Sequence, residues 1–543
     1  MSAVASVSSV EILMRALLSP GRAAPLWGIP FFLILIAWVT TAGAQAFSSQ
    51  GPAPSIYPDS AGLGFNGNWA GAIQSVLVNP SNANVMLISS VNGGVWQTLN
   101  GGTTWAPLTD RALSLSVDSL SYDPNDPTHT KIFAGVGLTS NGAIAGQQGV
   151  QSRGGDRVGI LYSSDGGAKW SVMGNRDLAG MSVVAVEARD STILAATFEP
   201  QDMKATGSYG LYRSIDSGAN FSLVTTADGL SSGAVTSLIG VPDNPKKLYA
   251  AVANQGVFES PDGGQKWNVI QTYASGTYAH LASGPGGAVA VAMFNDANVM
   301  IGLKISKNYG VDWYLLNVPQ VNNGSQASVN LAIAIDPKNT NIVYLAGDSA
   351  GGSDVSLAAY RVVFDPNTNS STYSPLSYIS ISGVTNTAVH ADARSFAFLP
   401  NGTMVMAQDA GIYLRPNPQG DGTWTALNTS TLSVREAYAL AFDAVSKRLV
   451  VAAQDTGTAR QVAPGGAAYA SVDDGGGDGF NSVINDKTHA REGISVLYES
   501  SQNIGAGSLM RWTYGTAGNT STSTAFQFWK GAVRLSISAL PRE

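Results

Sequence analysis

Along most of the chain, hydrophobic residues fall into short β-rich runs, broken by Pro, Asp or Asn and followed by a second such run. SVLVNPSNANVMLIS (75–89), SLSYDPNDPTHTKIFAG (119–135), LAIAIDPKNTNIVYLAG (331–347) and SFAFLPNGTMVMAQ (395–408) are the clearest cases. Weaker ones lie near Arg189, Pro242, Pro285, Asp443 and Asp486. β-Branched and aromatic residues suit a pleated, half-buried surface, and Pro, Asn and Asp suit tight turns. Each pair predicts an antiparallel hairpin, and nine pairs follow one another.

A second pattern sits between the hairpins: Ser or Thr, any residue, Asp or Asn, any residue, Gly, two residues, then an aromatic. It occurs at Thr98–Trp105, Ser163–Trp170, Ser214–Phe221, Ser260–Trp267 and Ser306–Trp313, with a decayed copy ending at Trp424. The polar members Asn100, Asp165, Asp216, Asp262 and Asn308 can accept backbone N–H bonds within a turn, while Gly supplies positive φ. These side chains are therefore assigned to structure, and the aromatic to packing between sheets. Hairpin, loop, strand, boxed turn and strand make a four-stranded meander, and its repetition predicts an all-β propeller. Nine units fit either one ring of about eight to ten blades or a seven-bladed ring plus part of a second. The last strand-like run, Ala525–Leu540, could close such a ring on the first blade.

Composition narrows the class. There are 61 glycines, no cysteine, 12% charged and 44% hydrophobic residues, and a net charge of −7. So many glycines exclude a coiled coil, the hydrophobic content opposes disorder, and the acidity gives no case for nucleic acid. Without cysteine there are no disulfides or thiolate metal sites. Residues 26–39 are apolar, follow Arg15 and Arg22, and precede small residues at Ala42, Ala44 and Ala46. That order predicts a signal peptide over 1–46 and a secreted or periplasmic chain, the alternative being an N-terminal membrane anchor. No later segment reads as a membrane span. A linker is expected over 47–64 and the propeller over 65–543, with a subdivision near 385.

The boxed turns resemble the Asp-box (BNR) repeats of sialidase-like β-propellers. The segments VNGGVWQTLNGGTTWAPLTD (91–110), Gln408–Gly411, Gln454–Gly457 and Gly476–Phe480 are similar to BNR glycosyl-hydrolase-like proteins. That group is related to the family 74 xyloglucanases and the sortilin ectodomain. The resemblance implies a propeller and a carbohydrate-related, glycoside-hydrolase-like role. Its chemistry is incompletely carried here. There is no Arg-Ile-Pro segment, Val91 stands where the xyloglucanases place a catalytic Asp, and His390-Ala-Asp392-Ala-Arg394 lacks two imidazoles of the related pattern.

In a meander, the boxed turns open on one face, and the turns between second and third strands open on the other with the inter-blade loops. Functional residues concentrate on loops held by such a scaffold. On that second face Asp409, Glu436, Asp455 and Asp478 are the candidate catalytic carboxylates, since glycoside hydrolysis needs two of them. Asn92, Arg157, His390, Asp392, Arg394 and Arg435 are the candidate substrate-binding residues, with Trp96 or Tyr438 as aromatic platforms. No cofactor and no metal site is expected, although oxygen-only clusters near a propeller channel would suit structural calcium. The expected partner is a polysaccharide or glycoconjugate. A non-catalytic propeller that binds glycans or a protein partner is the alternative.

Overall fold

The computed structural model describes residues 51–56, 68–140, 153–200, 208–349, 357–377, 388–420, 422–472, 477–501, 509–515 and 520–525. The expected signal segment and the run beyond Ala525 lie outside them. Among the described residues, helix is confined to segments of three or four residues. None is long and apolar enough to cross a membrane.

Nine antiparallel four-stranded meanders follow one another in sequence order. Blades 1 to 7 span 73–107, 117–173, 183–223, 235–272, 277–316, 332–375 and 393–426, and blades 8 and 9 span 437–471 and 479–525. The first strands of blades 1 to 7 pack each on the next, and that of blade 7 returns to blade 1. The protein is therefore a seven-bladed propeller with two further blades, whose first strands pack on each other. The single larger ring is not what forms.

Among the described residues, closure rests on side chains rather than on a shared strand. Ile73, Met86, Ile88 and Trp105 of blade 1 form one buried cluster with Val405, Ala407 and Ile412 of blade 7 and with Leu427 and Leu432 beyond it. The Trp105 indole N–H donates to Leu427 O at 3.0 Å and its backbone N–H to Thr431 Oγ1 at 2.8 Å. Trp96, expected as a platform, is buried in this same seam, its indole N–H held by Gly93 O at 3.0 Å. Residues 427–436 then lead to blade 8, so the passage out of the ring falls downstream of the division expected near 385. Within the expected linker lies strand β1 (Ser55–Ile56), which pairs in parallel with the outermost strand of blade 8 and antiparallel with strand β2 (Asn68–Trp69). The N-terminal segment thus ties blade 8 to the start of the ring.

The boxed turns join third and fourth strands. In the Ser214 copy, Oγ donates to Asp216 Oδ1 at 2.7 Å and accepts the Gly218 N–H at 2.8 Å, while Asp216 Oδ1 accepts the Asn220 N–H at 3.0 Å. The same bonds recur at Thr98/Asn100, Ser163/Asp165, Ser260/Asp262 and Ser306/Asn308. Donors from Asn220 and Ser214 hold the Asp216 carboxyl down at about 2. The hydroxyl is buried and serves as both donor and acceptor, so Ser260→Ala should cost about 1–2 kcal/mol. A lower urea midpoint at unchanged slope would check this, and an unchanged midpoint would contradict it.

One irregularity repeats. In blades 1, 2, 3, 4, 7, 8 and 9 the first strand carries one residue more than its neighbour: Gln74, Asp118, Val184, Thr236, Arg394, Tyr438 and Phe480. Bulges of this kind re-aim a side chain. In the ring, all five of these residues line a cavity at the centre. In blades 8 and 9 the bulged residues are two aromatics.

Candidate functional site

The second face gathers acids where the ring meets the added blades. Asp409 lies in the turn between second and third strands of blade 7, and Asp455 in the same turn of blade 8. Asp392, Glu436 and Asp478 lie just before the first strands of blades 7, 8 and 9. One oxygen each from Asp392, Asp409 and Asp455 falls within 4.8 Å of the others. Asp478 joins them by accepting the Asp455 backbone N–H at 2.9 Å. Asp455 and Asp392 both adopt the left-handed conformation, at φ 55° and 69°.

Arg394 supplies the counter-charge. Its guanidinium grips both Asp409 oxygens, the Nη2 contact at 3.1 Å, and both side chains are fully buried. Nη1 donates to Gln74 Oε1 at 2.7 Å and to Thr139 O at 2.8 Å. Arg394 is the bulged residue between the pairs Ala393–Gln408 and Ser395–Ala407, and Asp409 follows Gln408 in the turn that ends the partner strand. Asp409 is thus engaged on both oxygens. An oxygen-only cluster of this kind could suit calcium; Arg394 brings one positive charge to it from the chain itself.

Among the described residues, Asp392, Asp455 and Asp478 form no such ion pair. Burial, and then the neighbouring Asp409, push Asp392 well above the usual carboxylate range, with Arg394 opposing. Burial first, then Asp409, Asp392 and Asp478, do the same to Asp455. Burial raises Asp478 as well. Such groups keep a proton at pH values where an ordinary carboxyl has lost it.

Around them the fixed contacts are polar and aromatic. Gln454 Nε2 donates to Asp455 Oδ2 at 3.0 Å, and the Tyr438 hydroxyl donates to Gln454 Oε1. Tyr438 meets Phe480 edge-on with centroids 5.7 Å apart. Glu436 Oε1 accepts from Asn92 Nδ2 at 3.0 Å and Ser140 Oγ at 2.6 Å, which links blade 1, blade 2 and the start of blade 8. Arg435 donates to Thr456 Oγ1 at 3.1 Å, to Trp69 O at 3.3 Å and to Ser55 Oγ. His390 is buried with its ring edge-on to Trp69 at 4.9 Å, and burial holds its pKa below the usual value.

Of the expected site residues, Arg157 stands apart: it pairs with Glu199, which also accepts from the Tyr209 hydroxyl at 3.1 Å. Gln74, Thr139, Ser140 and Asn330 join the site without any sequence motif, and Gln454 does so from the Gln454–Gly457 segment. Asn330 Nδ2 holds Asp392 Oδ1 at 3.0 Å. The sequence signal for Gln454 was the neighbouring Asp455; for the others no local motif exists.

The fold is similar to that of an ancestral GH74 enzyme, with TM-score 0.59 and 16% identity over 89% of this chain and 64% of that one. It is also similar to the GH74 xyloglucanase from Xanthomonas campestris (TM-score 0.58, 14% identity, 86% and 68% covered). A GH74 enzyme from Niastella koreensis gives 0.56 and 15%, with 88% and 67% covered. The chain spans 64% of the length of the first of these proteins. At this identity the likeness is one of fold. No protein-family model and no curated protein matches the chain.

Proposed function

We propose that the chain is an exported, Asp-box-type propeller that acts on a polysaccharide as a glycoside hydrolase. The observation that carries the reading is Asp455. Burial and surrounding acids keep its proton on, Gln454 orients it, and the Tyr438–Phe480 pair lies beside it. A carboxyl group that remains protonated can donate to a leaving glycosidic oxygen, and aromatic rings suit the apolar faces of sugars. Glu436, fixed by Asn92 and Ser140, is the second carboxylate, there to activate water or attack the sugar. Asp409 and Arg394 act by position, and Asp392, Asp478, His390 and Arg435 line the same junction. The export reading rests on the N-terminal segment, and the polysaccharide class on the fold neighbours, one of which is a xyloglucanase.

The test is sugar release by the purified chain from a panel of polysaccharides that begins with xyloglucan. Asp455→Asn should lower release at least ~100-fold, the usual scale for a general acid, while binding to the same polysaccharide survives. Binding without release by the unaltered chain would replace this reading with a glycan-binding propeller. Release undiminished in Asp455→Asn would remove Asp455 from the role.

A further inference from the structure

At the centre of the seven-bladed ring lies a cavity of about 210 Å³. The bulged residues Gln74, Asp118, Val184, Thr236 and Arg394 line it, together with His280 of blade 5 and Ser328 ahead of blade 6. Six blades of the ring and the segment leading into blade 6 therefore contribute. Among the described residues, four polar atoms of the lining have no hydrogen-bond partner: Asp118 Oδ2, Ser119 Oγ, Thr139 Oγ1 and His280 Nε2. Asp118 is 7% exposed and Thr139 1%. Buried polar groups are nearly always satisfied, so a cluster of unsatisfied ones around a void points to something that fills it.

The lining says what kind of molecule. Among the described residues, the only group of three or more acids or imidazoles that converge on one point is Asp392, Asp409 and Asp455. The free atoms here are spread around a void rather than focused on one ion. Fixed charge is balanced, since Arg394 is held by Asp409. Burial raises Asp118 to about 8 and lowers His280 to about 4, so both are neutral at pH 7. The acid then offers an O–H, the imidazole a lone pair, and the two hydroxyls either. Phe198, Pro200, Leu238 and Val329 supply apolar wall between them. Alternating donors, acceptors and apolar surface complement a compact molecule that bears several hydroxyl groups.

We propose that this cavity is a binding site for one small neutral polyol, of monosaccharide size or less. The cavity shares Arg394 with the acid cluster, which holds that side chain from the other side, and the proposal does not depend on the hydrolase reading. Equilibrium binding to the full chain would be measured with glycerol, D-xylose and D-glucose as probes. At least one should bind saturably with one site per chain. Thr139→Val, which keeps the volume and removes a hydroxyl, should weaken that binding about tenfold. Ala185→Leu, which places a side chain in the cavity, should abolish it, and Asp455→Asn should leave it unchanged. If Ala185→Leu does not fold, Thr139→Val decides alone. The proposal is overturned if none of the three probes binds saturably, which would leave a water-filled channel. It is overturned equally if binding is indifferent to the cavity variants or is lost in Asp455→Asn.

Discussion

Replacing Arg394 with Gln should cost the folded protein about 3–5 kcal/mol, the usual penalty for removing one partner of a buried ion pair. The guanidinium is fully buried, is gripped by both Asp409 oxygens, and donates further to Gln74 and Thr139. Its loss leaves Asp409 beside Asp392 and Asp455 with no cation between them. Asp392, whose raised pKa Arg394 opposes, would then hold its proton more tightly still in the folded state. A folded-state pKa raised in this way gives stability that is present at low pH and lost as pH rises. The deficit of the variant should therefore be smaller near pH 5 than near pH 8. Arg394→Lys should recover only part of it, because an ammonium restores the charge but not the two-pronged geometry. Urea unfolding of the three proteins across that range is the measurement. A deficit under ~1 kcal/mol and independent of pH would show that the acids do not depend on Arg394.

The same pair shows what sequence could and could not reveal. The boxed turns were legible because their chemistry closes within eight residues: Ser214 meets Asp216 and Gly218 in any context that lets the turn form. Nine hairpins were legible for a similar reason, since period and turn residues are local. Blade number in the ring was not, because closure depends on Leu427 and Leu432 reaching Met86 and Trp105 more than 300 positions away. Asp409 reads as a free acid along the chain; only the bulge that re-aims Arg394, 15 residues upstream, brings a cation to it. Trp96 shows the opposite error, an aromatic that reads as a platform and serves as seam packing. The acid cluster itself was half legible: its members sit in successive second-face loops, but which of them is neutralised is a three-dimensional fact.

Asp118 is the sharpest case of a residue hidden by its surroundings, and its removal should stabilise the protein. In sequence it is one polar position in the strand Val117–Tyr122; in the fold, the bulge turns it into the cavity. Burial is the main cause that lifts its pKa to about 8, against the opposing pull of Gln74 and Arg394. With the folded value raised, the contribution of this group is fully present below about pH 4 and is lost as pH climbs to about 8. Each step of one in pKa is worth ~1.4 kcal/mol, so the full linkage is on the order of 6 kcal/mol. Water in the cavity should reduce what is measured to roughly 2–4 kcal/mol. Asp118→Asn cannot ionise, yet its Oδ1 can still accept from Gln74 Nε2, a bond of 3.1 Å in the parent protein. The variant should match the parent near pH 4 and exceed it progressively up to about pH 8, beyond which the gap stays constant. Asp392, Asp455 and Asp478 titrate in the same direction in both proteins, so the difference between the two curves isolates Asp118. Parallel curves from pH 4 to 9 would mean that the cavity solvates this carboxylate as well as water does.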